Sequence, residues 1–173
     1  MNLTPSRSRT TGANMSTDLT KDTTARSRLS RFSGLLLEAE PALYALLRIV
    51  FALVLLTHGL PKALGTAHGS MSNPMAGSIA LMQNVMGLPF APQLAFMIML
   101  LETGGAILLA IGFGTRVVAL LFAAQMAGIS YALGPTWPWF DRGIEFPVLM
   151  GFLALYIVAR GGGAWTLDAR LFR

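Results

Sequence analysis

Four long apolar stretches, separated by short polar or Gly/Pro-rich segments, organise the chain from residue 43 onward; they cover about residues 43–60, 93–112, 117–133 and 144–159. A helix needs about 20 predominantly apolar residues to cross a hydrocarbon core about 30 Å thick. The first three stretches meet this length closely, and the fourth does so with room for only a small tilt. The pattern therefore predicts an all-α, integral membrane four-helix bundle over residues 33–173.

The connections refine this picture. Between the second and third stretches lies only "FGT", which leaves room for nothing but an antiparallel hairpin. Counted from the middle of that turn, Glu102 and Gln125 are equally distant, so the hairpin brings them to one depth. The segment "GTAHGSMSNPMAGSIALMQNVMGLPFAP" is too long for a tight turn and too broken to span. Its middle, residues 75–86, predicts a short capping helix in the first outer loop, with Pro74 just before it and Gly87 just after. Small residues at Ala124, Gly128 and Ala132, and at Gly104, Gly105, Ala106 and Ala110, predict close helix packing. "GFG" at Gly112 lacks the later glycine and preceding strand of a dinucleotide fingerprint and reads as a turn.

Composition agrees with a membrane protein: 54% of residues are hydrophobic and 12% charged, against roughly 45–50% and 25% in soluble domains. The net charge of +5 invites a nucleic-acid reading, yet the basic residues sit in the N-terminal tail or beside apolar segments, as a topology signal does. Nucleic acid is set aside as a partner; the lipid bilayer is the expected one. Lys62 and Arg142 fall on one side and most other basic residues, Arg116 and Arg160 included, on the other, so both termini are expected in the cytoplasm. Residues 1–32, rich in Ser, Thr and Arg and without apolar periodicity, are expected to form an unstructured cytoplasmic tail; Met15 is a second candidate start. The chain has no cysteine, which excludes disulfides, thiolate metal sites and a Cys-x-x-C redox pair of its own.

Ionisable groups in hydrocarbon are costly and turn toward one another inside a bundle. Arg48, His58 and Lys62 fall within an arc of about 80° on the first helix at 100° per residue. Glu102 lies deep in the second helix, Gln125 faces it across the hairpin, and Arg48 is the cation expected to reach the Glu102 carboxylate. Glu145, at the start of the fourth helix, is expected at the depth of His58 and Lys62. Together His58, Lys62, Glu102, Gln125 and Glu145 form a candidate ligand site, with a proton donor, an acceptor and a cation for the polar head of an apolar ligand such as a quinone. Arg48 is assigned a structural role. No metal site is expected and no catalytic residue is assigned. Each of these groups also has a bland reading: His58 as a satisfied core histidine, Lys62 as an interfacial anchor, Glu145 as a partner of the helix dipole.

The elements "LRIVFALVLLTHGLPKALG", "ETGGAILLAIGFGTRVVALLFAAQM" and "GIEFPVLMGFLALYIVARGGGAWTLD" resemble the DoxX family of small four-helix bacterial membrane proteins. The resemblance rests on His-Gly-x-x-Lys, Glu-x-Gly-Gly, Gly-x-x-Thr-Arg and the Gly-rich Thr-Leu-Asp ending, and covers about residues 43–168. It implies a bacterial inner membrane location and a link to membrane oxidoreductase complexes acting on quinone, thiol or superoxide chemistry. The matched positions are His58, Gly59, Lys62, Glu102, Gly104, Gly105, Thr115, Arg116 and Glu145. Relatives often carry a histidine near the outer end of the third helix; here the stretch is "GISYALGP", and Tyr131 is the residue that would take part of that role. His68 lies in a loop, and haem ligation wants two facing helix histidines.

The first expectation for function is thus a redox-associated membrane subunit that binds a quinone-like ligand or docks an oxidoreductase partner protein; a second copy of the chain is a further open partner. The alternative is a non-enzymatic membrane scaffold or integrity protein whose polar residues only lock helices. Small-molecule transport ranks third, because matched helix interruptions in two halves are not evident.

Overall fold

The computed structural model of the chain describes residues 11–171. All regular elements among them are helices. The described residues fall into two compact units that divide between Glu40 and Pro41. In the first unit the described backbone is helical and begins α1 (Thr11–Leu64). Composition predicts no structure here, yet no proline interrupts residues 6–40, so nothing breaks the i to i−4 bonding pattern; residues 1–10 of the expected tail lie outside the described residues.

The second unit holds the bundle. The remainder of α1 leads to α2 (Pro74–Ala80), which opens with Asn73 Oδ1 accepting from the Ala76 N–H at 3.0 Å and Pro74 in the first turn, a regular helix start. It continues as a π-helical turn, Leu81–Val85, so the expected short capping helix is present. The second span combines α3 (Ala91–Leu100), a π-helical segment (Leu101–Gly105) and α4 (Ala106–Ile111). After the tight turn come α5 (Thr115–Leu133), α6 (Glu145–Arg160) and the short α7 (Leu167–Leu171). Gly112 and Gly114 make that turn with φ of +75° and +58°, a region that L side chains avoid.

Three helices are long and apolar enough to cross a membrane, Phe32–Leu64, Ala91–Ile111 and Thr115–Leu133. The fourth, α6, has 16 residues, about 24 Å of helix, and packs along α5. The core draws on all four: Phe51 and Leu55 from α1, Leu109 from α4, Phe122 and Met126 from α5, and Ala154 and Ile157 from α6. Phe51 and Phe122 meet edge to face at 5.9 Å. Large apolar side chains also line the outside, among them Leu53, Leu120, Leu149 and Phe152, each more than half exposed. Largely apolar inside and out, with its spans helical along their described length, the unit is built for lipid.

The small-residue stripe on α5 packs only in part, with Ala132 buried. Ala124 is exposed, and Gly128 meets only the tip of Met86. The buried side of α5 instead carries Val118, Phe122, Gln125 and Met126, whose three- and four-residue spacing follows the neighbouring helices. Gly104 likewise faces open space, whereas Gly105 is buried against Leu101 and Phe122.

Candidate functional site

The closest approach between α1 and the second span sets the site. A Cβ on Gly59 would stand 2.6 Å from both the carbonyl carbon and the Cβ of Glu102, so only glycine lets the two backbones meet. Glu102 belongs to the π-helical segment, where the extra residue widens the turn; such segments recur at functional sites. The contact fixes Glu102 at the level of Gly59.

Lys62, one turn along from Gly59, then reaches the acid: its Nζ lies 2.6 Å from Glu102 Oε2. On the opposite side Gln125 Nε2 donates to Glu102 Oε1, also at 2.6 Å. Glu102 is 3% exposed and Gln125 7%, so both carboxylate oxygens are satisfied in a nearly dry setting. Gln125 Oε1 is buried with no hydrogen-bond partner among the described residues, a spare acceptor beside the ion pair.

Arg48, the cation expected to reach Glu102, does something else. It lies eleven residues before Gly59, about 16 Å along the helix, level with the far end of α4. It is 1% exposed and donates to backbone carbonyls: Gly162, Trp165 at 2.9 Å and Ala110 at 3.3 Å. These bonds tie the Gly-rich segment 161–165 to the bundle. Tyr44 is buried beside Arg48. Its hydroxyl donates to the Gly161 carbonyl and its ring packs edge to face with Tyr156.

The loop after α1 adds a residue that the sequence pattern did not single out. His68 packs its ring against His58 with centroids 4.9 Å apart, held by a two-way backbone pairing of His68 with Met71. The charged or titratable groups acting on His58 are Glu102, His68 and Lys62. The available signal was the pair of loop glycines, Gly65 and Gly69, both at positive φ, which fold the chain back over α1.

The other two candidates have exposed side chains. Tyr131 is 77% exposed; six residues beyond Gln125, it is turned about 120° away around α5. Glu145 opens α6, its backbone N–H donating to the Trp137 carbonyl at 3.1 Å.

A cavity of about 430 Å³ sits at the opposite end of the bundle, lined by Arg116, Arg160, Asp168 and the segment 161–163. Here Asp168 caps α5 from a distance, its two oxygens accepting from Gly114 N at 2.8 Å and Thr115 N at 2.9 Å. Burial pushes the Asp168 carboxyl up, but the N–H groups of Thr115 and Gly114 and, further down, the Arg48 charge outweigh it and hold it below its ordinary range. Arg116 lies over Gly161, its Nε 3.0 Å from where a Gly161 Cβ would stand. The Arg160 guanidinium covers the Tyr44 ring at 4.1 Å.

Comparison with known proteins follows this geometry. A protein of Bacillus subtilis (strain 168), named "Putative oxidoreductase CatD", is 28% identical over 128 residues, 74% of this chain and 86% of that protein. "Inner membrane protein YphA" of Escherichia coli (strain K12) is 29% identical over 143 residues, 76% of this chain and 92% of that protein. No solved structure matches the chain. The DoxX family model matches residues 43–134, the span that carries Gly59, Lys62, Glu102 and Gln125, and with more than half its length so matched this membrane protein belongs to the DoxX family.

Proposed function

We propose that the chain is a redox-associated subunit of a bacterial inner membrane, with both termini in the cytoplasm, in which the cluster around Glu102 binds the polar head of a quinone-like molecule. The observation that carries this reading is the buried Glu102 carboxylate held jointly by Lys62 and Gln125, with His58, itself packed edge to face with His68, near it. A quinone head offers carbonyl oxygens when oxidised and hydroxyl groups when reduced. Lys62 is a donor for the first and the unpaired Gln125 Oε1 an acceptor for the second. Glu102 and His58 are groups able to relay the two protons that reduction of a quinone to its quinol consumes together with two electrons. Tyr131 and Glu145 belong to this reading only as residues at the periphery of the site.

Without cysteine the chain has no thiol to carry electrons, so they come from an oxidoreductase partner protein. The name of the Bacillus relative and the location in the name of the Escherichia one support this class and compartment. The distribution of basic residues supports the orientation.

The test is Glu102→Gln and His58→Ala in the native host. Quinone-linked activity of membranes, measured per amount of the protein accumulated, is expected to fall at least several-fold. Unchanged activity and unchanged growth under oxidative or thiosulfate conditions would overturn the reading.

A second reading, a scaffold without redox chemistry, is favoured by the closure of the Glu102 bonds within the chain's own side chains. It expects the same substitutions to lower thermal stability or oligomer yield and nothing more.

A further inference from the structure

The geometry points to the groove between the start of α5 and the end of α6 as a binding site for the phosphate of an anionic membrane lipid. This site is separate from the cluster around Glu102 and does not depend on its function.

Three observations support it. First, the cavity of about 430 Å³ is lined by two arginines, Arg116 and Arg160, with the Arg116 guanidinium close to Gly161. Each is anchored through its plane or stem: Arg116 over the Gly161 backbone, and Arg160 over the Tyr44 ring with Nη1 donating to the Tyr156 hydroxyl at 3.1 Å. Pre-positioned guanidinium forks are suited to phosphate oxygens.

Second, among the described residues the cations at the groove outnumber the acid that lines it, Asp168. Both oxygens of Asp168 are engaged by the N–H groups of Gly114 and Thr115. Beneath the groove floor Arg48 adds a third cation, bonded to the carbonyls of Gly162 and Trp165. The local charge favours an anion.

Third, the surface continuing along the helices from the groove is apolar and outward-facing. On α5 it comprises Val117 and Leu121, 66% and 51% exposed, and on α6 Phe152, 69% exposed. Acyl chains would lie there. Trp165, 64% exposed, marks the same end as an interfacial level. A free phosphate would use only the arginines; a lipid uses both surfaces, and basic pockets between membrane helices are known to hold acidic head groups.

The experiment is lipid titration of the purified full chain in mild detergent, followed by native mass spectrometry. The probes are dioleoyl phosphatidylglycerol, dioleoyl phosphatidylcholine and inorganic phosphate. Phosphatidylglycerol is expected to bind more tightly than phosphatidylcholine. Each of Arg116→Gln and Arg160→Gln should weaken it by about fivefold, and the double substitution by about 25-fold. Arg142→Gln, in the loop before α6, should leave it unchanged.

Because Arg160 also packs on Tyr44, Arg116→Gln, whose residue is exposed, keeps the test intact should the double variant not accumulate. Equal binding of both lipids, or phosphatidylglycerol affinity insensitive to Arg116→Gln, overturns the proposal. Displacement of the lipid by millimolar inorganic phosphate would assign the groove to free phosphate and overturn the lipid assignment.

Discussion

Gly59 rests directly on the backbone of Glu102, with no room for a single added carbon between them. This contact sets the height at which the acid meets α1, and so decides that Lys62 is its partner. Gly59→Ala must push the spans apart, at a cost of about 1–3 kcal/mol or more for overpacking of this kind. A thermal unfolding midpoint lowered by several degrees in detergent is expected. Gly104→Ala, where nothing lies within 4 Å, should leave the midpoint almost unchanged.

The Lys62 and Glu102 pair is buried on both sides, at 12% and 4% side-chain exposure. Removing one partner leaves the other charge uncompensated, which costs about 3–5 kcal/mol. Lys62→Met and Glu102→Gln are each expected to destabilise strongly. The double variant should recover most of the loss, and a double-mutant cycle of unfolding measurements reads the coupling directly.

Arg48 answers three backbone carbonyls at once. Arg48→Met would leave these acceptors buried and unmatched, at about 1–3 kcal/mol for each that water cannot reach. Faster proteolysis of the segment 161–171 is expected, with the end of α1 near Lys62 unaffected. Limited proteolysis with mass mapping tests both parts.

Asp168 gives the stability a defined acid dependence. Its folded pKa lies below its ordinary value of about 3.9, so it stabilises the fold above that value and the contribution is lost as pH falls through the lower, folded value. Asp168→Asn should therefore be less stable than the parent at pH 7. The gap should stay constant down to about pH 5 and close as the pH drops below about 4. Unfolding midpoints measured across that range decide it.

Much of the architecture was legible because it is local. Apolar length marks the spans, and the loop "FGT" forces α5 back along α4. That short turn also locks the vertical register of the two helices, which is why the Glu102 and Gln125 contact could be counted out from the sequence and is found at 2.6 Å. The all-helical membrane bundle with its capping helix follows from the same reasoning.

The sequence by itself determined which side chains are too polar for lipid and must turn inward, since that follows from the cost of burying charge. Only the tertiary structure decided who meets whom across the long connection of residues 65–90. Such a loop leaves the height of α1 against the second span free, and the fit of Gly59 onto Glu102 then sets it. That offset gives Glu102 to Lys62, sends Arg48 to the carbonyls of the C-terminal glycines, and lets His68 close over His58. Tyr131 and Gly104 face outward for a kindred reason: the rotation of a helix is fixed by the large side chains that pack, and a small or aromatic residue elsewhere on its surface does not choose it.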